Sequence, residues 1–453
     1  MLKSPFQKNG ERPVVAGSVF IAAAAAWFAF VLNIAFWRFV FRTVEYEGFS
    51  TIVFLIAVPV IMFFLMYLIF NLIVVPYVGK PLVMILLFAS AVANYVMTGL
   101  GICIDSDTIR NVMETNVREA TDMMTVNACL TVFFTGVLPA VLVGVVRIGF
   151  KPFKRELMSR LTRVLAMFGL ASVFAGMAYK DIVVYGRNYR EGRKQINTLN
   201  YIHSTVRYFR RKAQAKRHFT TLDEKARLVP YENDRKTVFV LIVGETARAA
   251  NFSLYDYERK TNPRLEKRNV IAFDHVTSCG TATAISLPCM FSNMSRANFD
   301  VDDAKFTENM LDLLKRSGYD VLWVENDNGC KGVCDRVETK DVVAENDPEY
   351  CFGDYCHDAV LLKDLRKKLA NVKRDTVVVL HMMGSHGPAY YKRYPDQFKV
   401  FLPTCDTTDI QGCSREAIVN TYDNTILYTD YVVSQAIKEL KKYPQYEAGL
   451  MYV

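Results

Sequence analysis

The stretch Cys279-Gly-Thr-Ala-Thr-Ala-Ile-Ser-Leu-Pro-Cys289 sets two hydroxyls, Thr281 and Thr283, between two cysteines. Gly280 permits a tight turn, and the run after it can start a helix. A hydroxyl at a helix start faces unpaired backbone N–H groups, where an anionic phosphoryl group is held. By itself the segment is also consistent with a structural bridge around a helix start. Other reactive side chains follow apolar runs. Glu245 stands in Gly244-Glu-Thr246, and Asn326, Asp327 and Asn328 precede Cys330 and Lys331. His381 and His386 lie in Leu380-His-Met-Met-Gly-Ser-His-Gly-Pro388. Singly, Glu245 reads as a helix cap and His386 as a turn histidine. Together, a carboxylate, a hydroxyl and further ligands could hold a zinc ion that lowers the hydroxyl's pKa and makes it a nucleophile.

The elements that must position these groups are strands alternating with helices. Thr237–Gly244 is a continuous apolar, β-branched run, suited to a strand buried on both faces of a parallel sheet. Asp320–Val324, Thr376–Leu380 and Leu450–Val453 look similar. Helical patterns lie at Thr307–Ser317, Ala359–Leu369 and Ala417–Leu440. The alternation predicts an α/β domain. In such sheets ligands gather at the carboxyl ends of the strands, so Glu245, Asn326–Asn328 and the two histidines are expected on one rim with Thr283.

The first part of the chain is of another kind. The 453 residues are 51% hydrophobic, and most of the apolar runs precede residue 185. Runs near the ~20 residues needed to cross a bilayer lie at Val14–Phe36, Thr51–Val75, Pro81–Ile104, Met124–Val146 and Leu161–Tyr179. The small-residue pattern Ala22–Ala26 falls inside the first run, which reads as an uncleaved helix. Arg147, Lys151, Lys154, Arg155 and Arg160 follow the fourth run, whereas Asp105, Asp107, Glu114, Glu119 and Asp122 follow the third. The cations face the cytoplasm, so everything after residue 180 lies outside.

The cysteines agree with that orientation. Eight of ten form close pairs in the second half: Cys279/Cys289, Cys330/Cys334, Cys351/Cys356 and Cys405/Cys413. This predicts disulfides in an oxidising compartment, with zinc on Cys330-Lys-Gly-Val-Cys334 as the competing reading. The net charge of +9 is concentrated beside the spans. It points to lipid phosphate as the anionic partner, not nucleic acid. The expected organisation is a five-span membrane domain (1–180), a basic membrane-surface linker (181–235) and an external α/β domain (236–453). In the loop Ile104–Thr125, the spacing of Asn111, Thr115 and Glu119 predicts one helix face carrying all three, fit for a lipid head group or simply solvated.

The motifs Ile242-Val-Gly-Glu-Thr246, Thr277-Ser-Cys-Gly-Thr-Ala-Thr283, Pro288-Cys-Met-Phe-Ser292, Gly329-Cys-Lys-Gly-Val-Cys334 and Gly384-Ser-His-Gly-Pro388 resemble those of the lipid A phosphoethanolamine transferases. These are multi-pass inner-membrane proteins of Gram-negative cells, with a periplasmic domain of the alkaline phosphatase/sulfatase superfamily. The resemblance covers essentially the whole chain. It implies that Thr283 carries phosphoethanolamine covalently, and that Glu245 and Thr283 bind zinc. It sets Lys331 and His386 near the transferred phosphate, and Asn111, Thr115 and Glu119 at the donor lipid. The donor implied is phosphatidylethanolamine, the acceptor lipid A and the by-product diacylglycerol. The outcome implied is less negative lipid A and resistance to cationic peptides of the polymyxin type.

The same resemblance leads one to expect Ser-Asp-His-Gly-Glu-Ser after Leu450–Val453, with two more zinc ligands. The sequence stops at Val453. That leaves two expectations: most of a transferase whose activity belongs to a longer chain, or a non-catalytic membrane-anchored remnant. A transferase acting on another lipopolysaccharide core acceptor is a further alternative. A sulfatase is disfavoured, because Thr283 stands where the nucleophile belongs and no Cys-x-Pro-x-Arg signature is present.

Overall fold

The computed structural model describes residues 13–45, 48–115, 117–214, 218–229 and 235–453, without the side chains of 117–119. The chain divides into two compact units, residues 1–112 with 126–210, and residues 113–125 with 211–453. The stretch 181–235, expected as a linker, is therefore shared between them, and residues 113–125 belong with the second unit.

In the first unit, strand β1 (Val14–Ala16) pairs in parallel with β2 (Arg147–Gly149). Among the described residues, four helices are long and apolar enough to cross a membrane. These are α3 (Phe49–Ile73), α4 (Gly79–Gly99), α7 (Val126–Val145) and α8 (Phe153–Met177). The pair α1 (Gly17–Val31) and α2 (Ile34–Thr43), bent by 50°, is a fifth if counted as one span. The first run, expected as one helix ending near Phe36, thus breaks at Leu32–Asn33 and continues to Thr43. The break frees carbonyls that water cannot reach, and side chains satisfy them. Asn33 Nδ2 donates to Phe28 O at 2.6 Å and Trp37 Nε1 to Ala29 O at 2.9 Å. Asn197 Nδ2 donates to Leu32 O at 2.7 Å, and Asn197 N–H to Asn33 Oδ1 at 2.8 Å.

Between spans, small residues allow close approach. A Cβ at Gly136 of α7 would lie 2.6 Å from Ala91 Cβ of α4. Cations close two helix ends whose carbonyls lack partners. Arg160 donates to Asn71 O and Val74 O at the end of α3, and Lys80 to Gly144 O and Val146 O at the end of α7.

The loop expected as one helix is two, α5 (Ser106–Glu114) and α6 (Val117–Asp122). Asn111 lies on α5, Thr115 in the break, and the Glu119 side chain outside the described residues. The three therefore do not share one helix face. Thr and Asn at 115–116 are poor helix formers, and the Glu114 carbonyl bonds Lys331 Nζ. After α8 come α9 (Tyr179–Asn188) and α10 (Asn197–Gln214).

The second unit is an α/β domain. Among the described residues, five strands form an all-parallel sheet. They are β3 (Thr237–Val243), β4 (Asp320–Glu325), β5 (Glu338–Asp341), β6 (Thr376–His381) and β7 (Glu447–Tyr452), in spatial order β5-β4-β6-β3-β7. Helices cover both faces, because each central strand is apolar on both sides. On one face α13 (Leu361–Leu369) and α14 (Arg415–Leu440) pack Leu361, Leu365 and Val432 against Val240, Ile242 and Val378. On the other, α11 (Thr283–Phe291) and α12 (Met310–Arg316) pack Leu287, Phe291 and Leu311 against Leu241, Val243 and Trp323.

Candidate active site

Strand register brings the reactive groups together. Val243 of β3 and Glu325 of β4 both stand opposite His381 of β6, so the three central strands end level. Each chain then leaves the sheet at the same rim. Glu245 follows β3 by two residues, Asp327 follows β4 by two, and His386 follows β6 by five. Cross-bonds lock these exits: Asn326 N–H donates to His381 O, Met382 N–H to Val243 O, and Ser385 N–H to Glu245 O.

One ligand atom each from Glu245, Asp327 and His386 lies within 4.8 Å of the others. His386 Nδ1 is 3.7 Å from Glu245 Oε1 and 3.8 Å from Asp327 Oδ1. Thr283, the first residue of α11, donates its hydroxyl to Glu245 Oε2 at 3.1 Å. The start of α11 has no side-chain cap, and Cys279 is bonded to Cys289 across it. Two carboxylates, an imidazole and a hydroxyl form an N/O donor set suited to zinc. Burial alone would raise the Glu245 carboxyl, but the hydrogen bond and charge of His386 hold it below the usual carboxylate range. Asp327 is fully buried, and burial lifts its carboxyl despite the nearby histidines.

Behind these groups lies a second layer, and it includes His381, which was expected on the rim beside His386 but closes β6 inside the sheet. His381 is fully buried, with Nδ1 2.9 and 3.0 Å from the Glu325 oxygens and Nε2 3.9 Å from Asp327 Oδ2. Glu325 also accepts from Trp323 Nε1 and from Asp327 N–H. Burial by itself would lower His381, but the Glu325 carboxylate outweighs it and raises His381 to about 9. The buried Asp358 carboxylate accepts from Asn326 Nδ2, Met383 N–H and Gly384 N–H at 2.7, 2.8 and 2.9 Å. It thereby fixes the β4 and β6 exits to each other. Tyr422 of α14 donates to Thr246 O, while Thr246 Oγ1 donates to Glu245 Oε1. The readable signal for Glu325 was a carboxylate closing an apolar strand; Asp358 and Tyr422 carried none.

Lys331 has φ +52°, and its Nζ is held by the carbonyls of Asn328 (2.8 Å) and Glu114 (3.4 Å). The remaining cysteine pairs, Cys330–Cys334, Cys351–Cys356 and Cys405–Cys413, are bonded in the structure. The Cys330–Cys334 bond leaves no pair of thiolates there for a zinc knuckle.

Gly384 is required by two independent features. Its φ is +52°, and a Cβ there would lie 2.8 Å from Glu245 O and 2.9 Å from Glu245 N. Both neighbouring atoms are backbone, so relief means moving Glu245. Gly384→Ala is expected to lower turnover per folded molecule by about 10²-fold, the cost of misplacing a reacting group by ~1 Å. Initial rates normalised to folded protein check this.

Comparison with known proteins places the chain. The family described as phosphoethanolamine transferase EptA/EptB matches residues 62–213, and the sulfatase family matches residues 237–453. The phosphoethanolamine transferase EptA of Escherichia coli (strain K12) is 39% identical over 449 residues, covering 98% of this chain and 82% of the relative. The phosphatidylethanolamine transferase Mcr-1 of Escherichia coli is 31% identical over 467 residues, covering 98% and 84%. The integral membrane lipooligosaccharide phosphoethanolamine transferase A (EptA) of Neisseria meningitidis superposes with a TM-score of 0.93 at 36% identity, over 97% of this chain and 82% of that one.

Proposed function

From the premise that this chain belongs to the phosphoethanolamine transferases, we propose that it moves phosphoethanolamine from phosphatidylethanolamine to lipid A through Thr283. The observation that carries the reading is the Thr283 hydroxyl, donated to Glu245 at an uncapped helix start beside His386 and Asp327. The protein is read as a multi-pass protein of a Gram-negative inner membrane. Residues 1–180, apart from the segment 113–125 that packs with the second unit, form its membrane part, 181–235 a basic surface linker, and 236–453 a periplasmic catalytic domain.

In the first half-reaction Thr283 Oγ1 attacks the donor phosphorus. The bond to the diacylglycerol oxygen breaks, and phosphoethanolamine remains on Thr283 as a phosphodiester. Glu245 Oε2 orients the hydroxyl for attack, and the hydroxyl proton ends on the diacylglycerol oxygen. His386, next to both carboxylates, carries that proton. In the second half-reaction a lipid A phosphate oxygen attacks the same phosphorus. Thr283 departs and takes up the proton that the acceptor phosphate gives up. The α11 N–H groups and Lys331 balance the phosphoryl charge. Glu245 and Thr283 would hold zinc, with Asp327 and His386 in reach. A zinc ion there lowers the hydroxyl's pKa and polarises the phosphoryl oxygens. Asn111, Thr115 and Glu119 are assigned to the donor lipid.

The product carries an added ammonium, so lipid A loses net negative charge and attracts cationic peptides less strongly. The test is the lipid A mass of a Gram-negative host producing the membrane-inserted protein. One added phosphoethanolamine per lipid A, lost on chelation and regained with zinc, is expected. Unmodified lipid A despite folded protein in the membrane overturns the proposal.

A further inference from the structure

The segment 113–125 packs with the α/β domain, and an acid near each end is held there. Glu114 Oε1 lies 2.6 Å from Lys305 Nζ. Asp122 is 8% exposed and accepts from the Tyr355 hydroxyl. Lys392 Nζ stands 3.3 Å from one Asp122 oxygen, and Arg393 Nη2 3.6 Å from the other. Both cations also lie over the Tyr355 ring, at 4.7 and 4.9 Å from its centroid. The Arg393 side chain is 2% exposed, and its Nε donates to the His386 carbonyl at 2.7 Å. A continuous polar run therefore joins Asp122 through Arg393 to His386, and His386 to Glu245.

We propose that Asp122 is a positioning residue for His386, acting through Arg393. The inference rests on the reading of His386 given above. Two like charges lie against the one Tyr355 ring, and the buried carboxylate within reach of both offsets their repulsion. Without it, Lys392 and Arg393 part, and the Arg393 fork no longer stands where it meets the His386 carbonyl. An interaction made through a neighbour has a signature that general loss of stability lacks: the effect of removing it disappears once that neighbour is gone.

The experiment is a double-mutant cycle in the intact membrane-inserted protein, with rates normalised to folded enzyme. Asp122→Asn keeps the shape and removes the charge. It is expected to lower kcat by about 10-fold while KM for the donor lipid moves less than about twofold. In a His386→Ala background the same substitution is expected to cost nothing further. Penalties that multiply overturn the positioning role and leave the reading of the site intact. A His386→Ala enzyme at full speed overturns that reading first. If Asp122→Asn does not fold, Arg393→Lys is the second variant. It retains a cation for Asp122 but loses the Nε bond to His386. The same 10-fold loss, absent in the His386→Ala background, is expected, and unchanged kcat overturns the proposal.

Discussion

Thr283→Ala is expected to abolish transfer, with a fall of at least about 10³-fold, or ~4 kcal/mol of transition-state stabilisation. The reason is local. Thr283 offers its hydroxyl to Glu245 at 3.1 Å, on the first residue of a helix whose opening N–H groups no side chain caps. Alanine keeps the helix, because it is the best helix former and the position is only half-buried. Leu287 and Phe291, which seat α11 on the sheet, are untouched. Loss of activity at constant folded protein is thus the outcome. Thr283→Ser, which keeps the oxygen, is expected to retain measurable transfer. The check is diacylglycerol release together with mass spectrometry of the peptide containing residue 283, which should carry phosphoethanolamine only where a hydroxyl is present. A Thr283→Ala enzyme with more than a tenth of wild-type turnover would remove the covalent route.

Asp358→Ala should produce the second large effect, and it falls on stability. Its carboxylate accepts three hydrogen bonds in a fully enclosed site, from Asn326 on the β4 exit and Met383 and Gly384 on the β6 exit. Alanine leaves three donors in the protein interior without their acceptor. Removing one partner of such a buried, charge-assisted cluster costs about 3–5 kcal/mol, a large share of the roughly 5–15 kcal/mol that holds a typical domain. Asp358→Asn also fails to restore the site. Its amide N–H groups would face either the Gly384 N–H or the Asn326 amide and Met383 N–H. Denaturation midpoints of membrane-inserted protein are the measurement. A shift below about 1 kcal/mol for Asp358→Ala would show that the loops do not depend on this carboxylate.

The legibility of the sequence divides along physical lines. Thr237–Val243 and Thr376–His381 could be read as central strands because both faces are buried and nearly every residue is apolar. The outer strands were legible only in part. Glu338-Thr-Lys-Asp341 forms β5 with an exposed, charged sequence, and β7 begins at Glu447, three residues before its apolar part. The bilayer-length runs stood out by composition. The bend at Asn33 did not, since some of the bonds that hold it come from residue 197, far along the chain. The face proposed for Asn111, Thr115 and Glu119 assumed a continuous helix, and the chain breaks at Thr115. At the site, Glu245, Asp327 and His386 were visible as polar residues following apolar strands. Asp358 and Tyr422 were not, because a buried acid in a connecting turn and a tyrosine within a helix acquire meaning only through the neighbours that topology supplies.

The bend in the first span also has a temporal side. Three of its carbonyls lie free of the helix ladder, and one of them, Leu32 O, meets its donor from Asn197. Asn33 Oδ1 likewise meets the Asn197 amide, 164 residues further along the chain. Chains are synthesised from the N-terminus at ~5–20 residues per second. α3, α4, α7 and α8 are therefore all made before those bonds can close. A helix pair made before those four is thus among the last to reach its final form, so the ribosome imposes an order on this membrane domain that the finished contacts conceal.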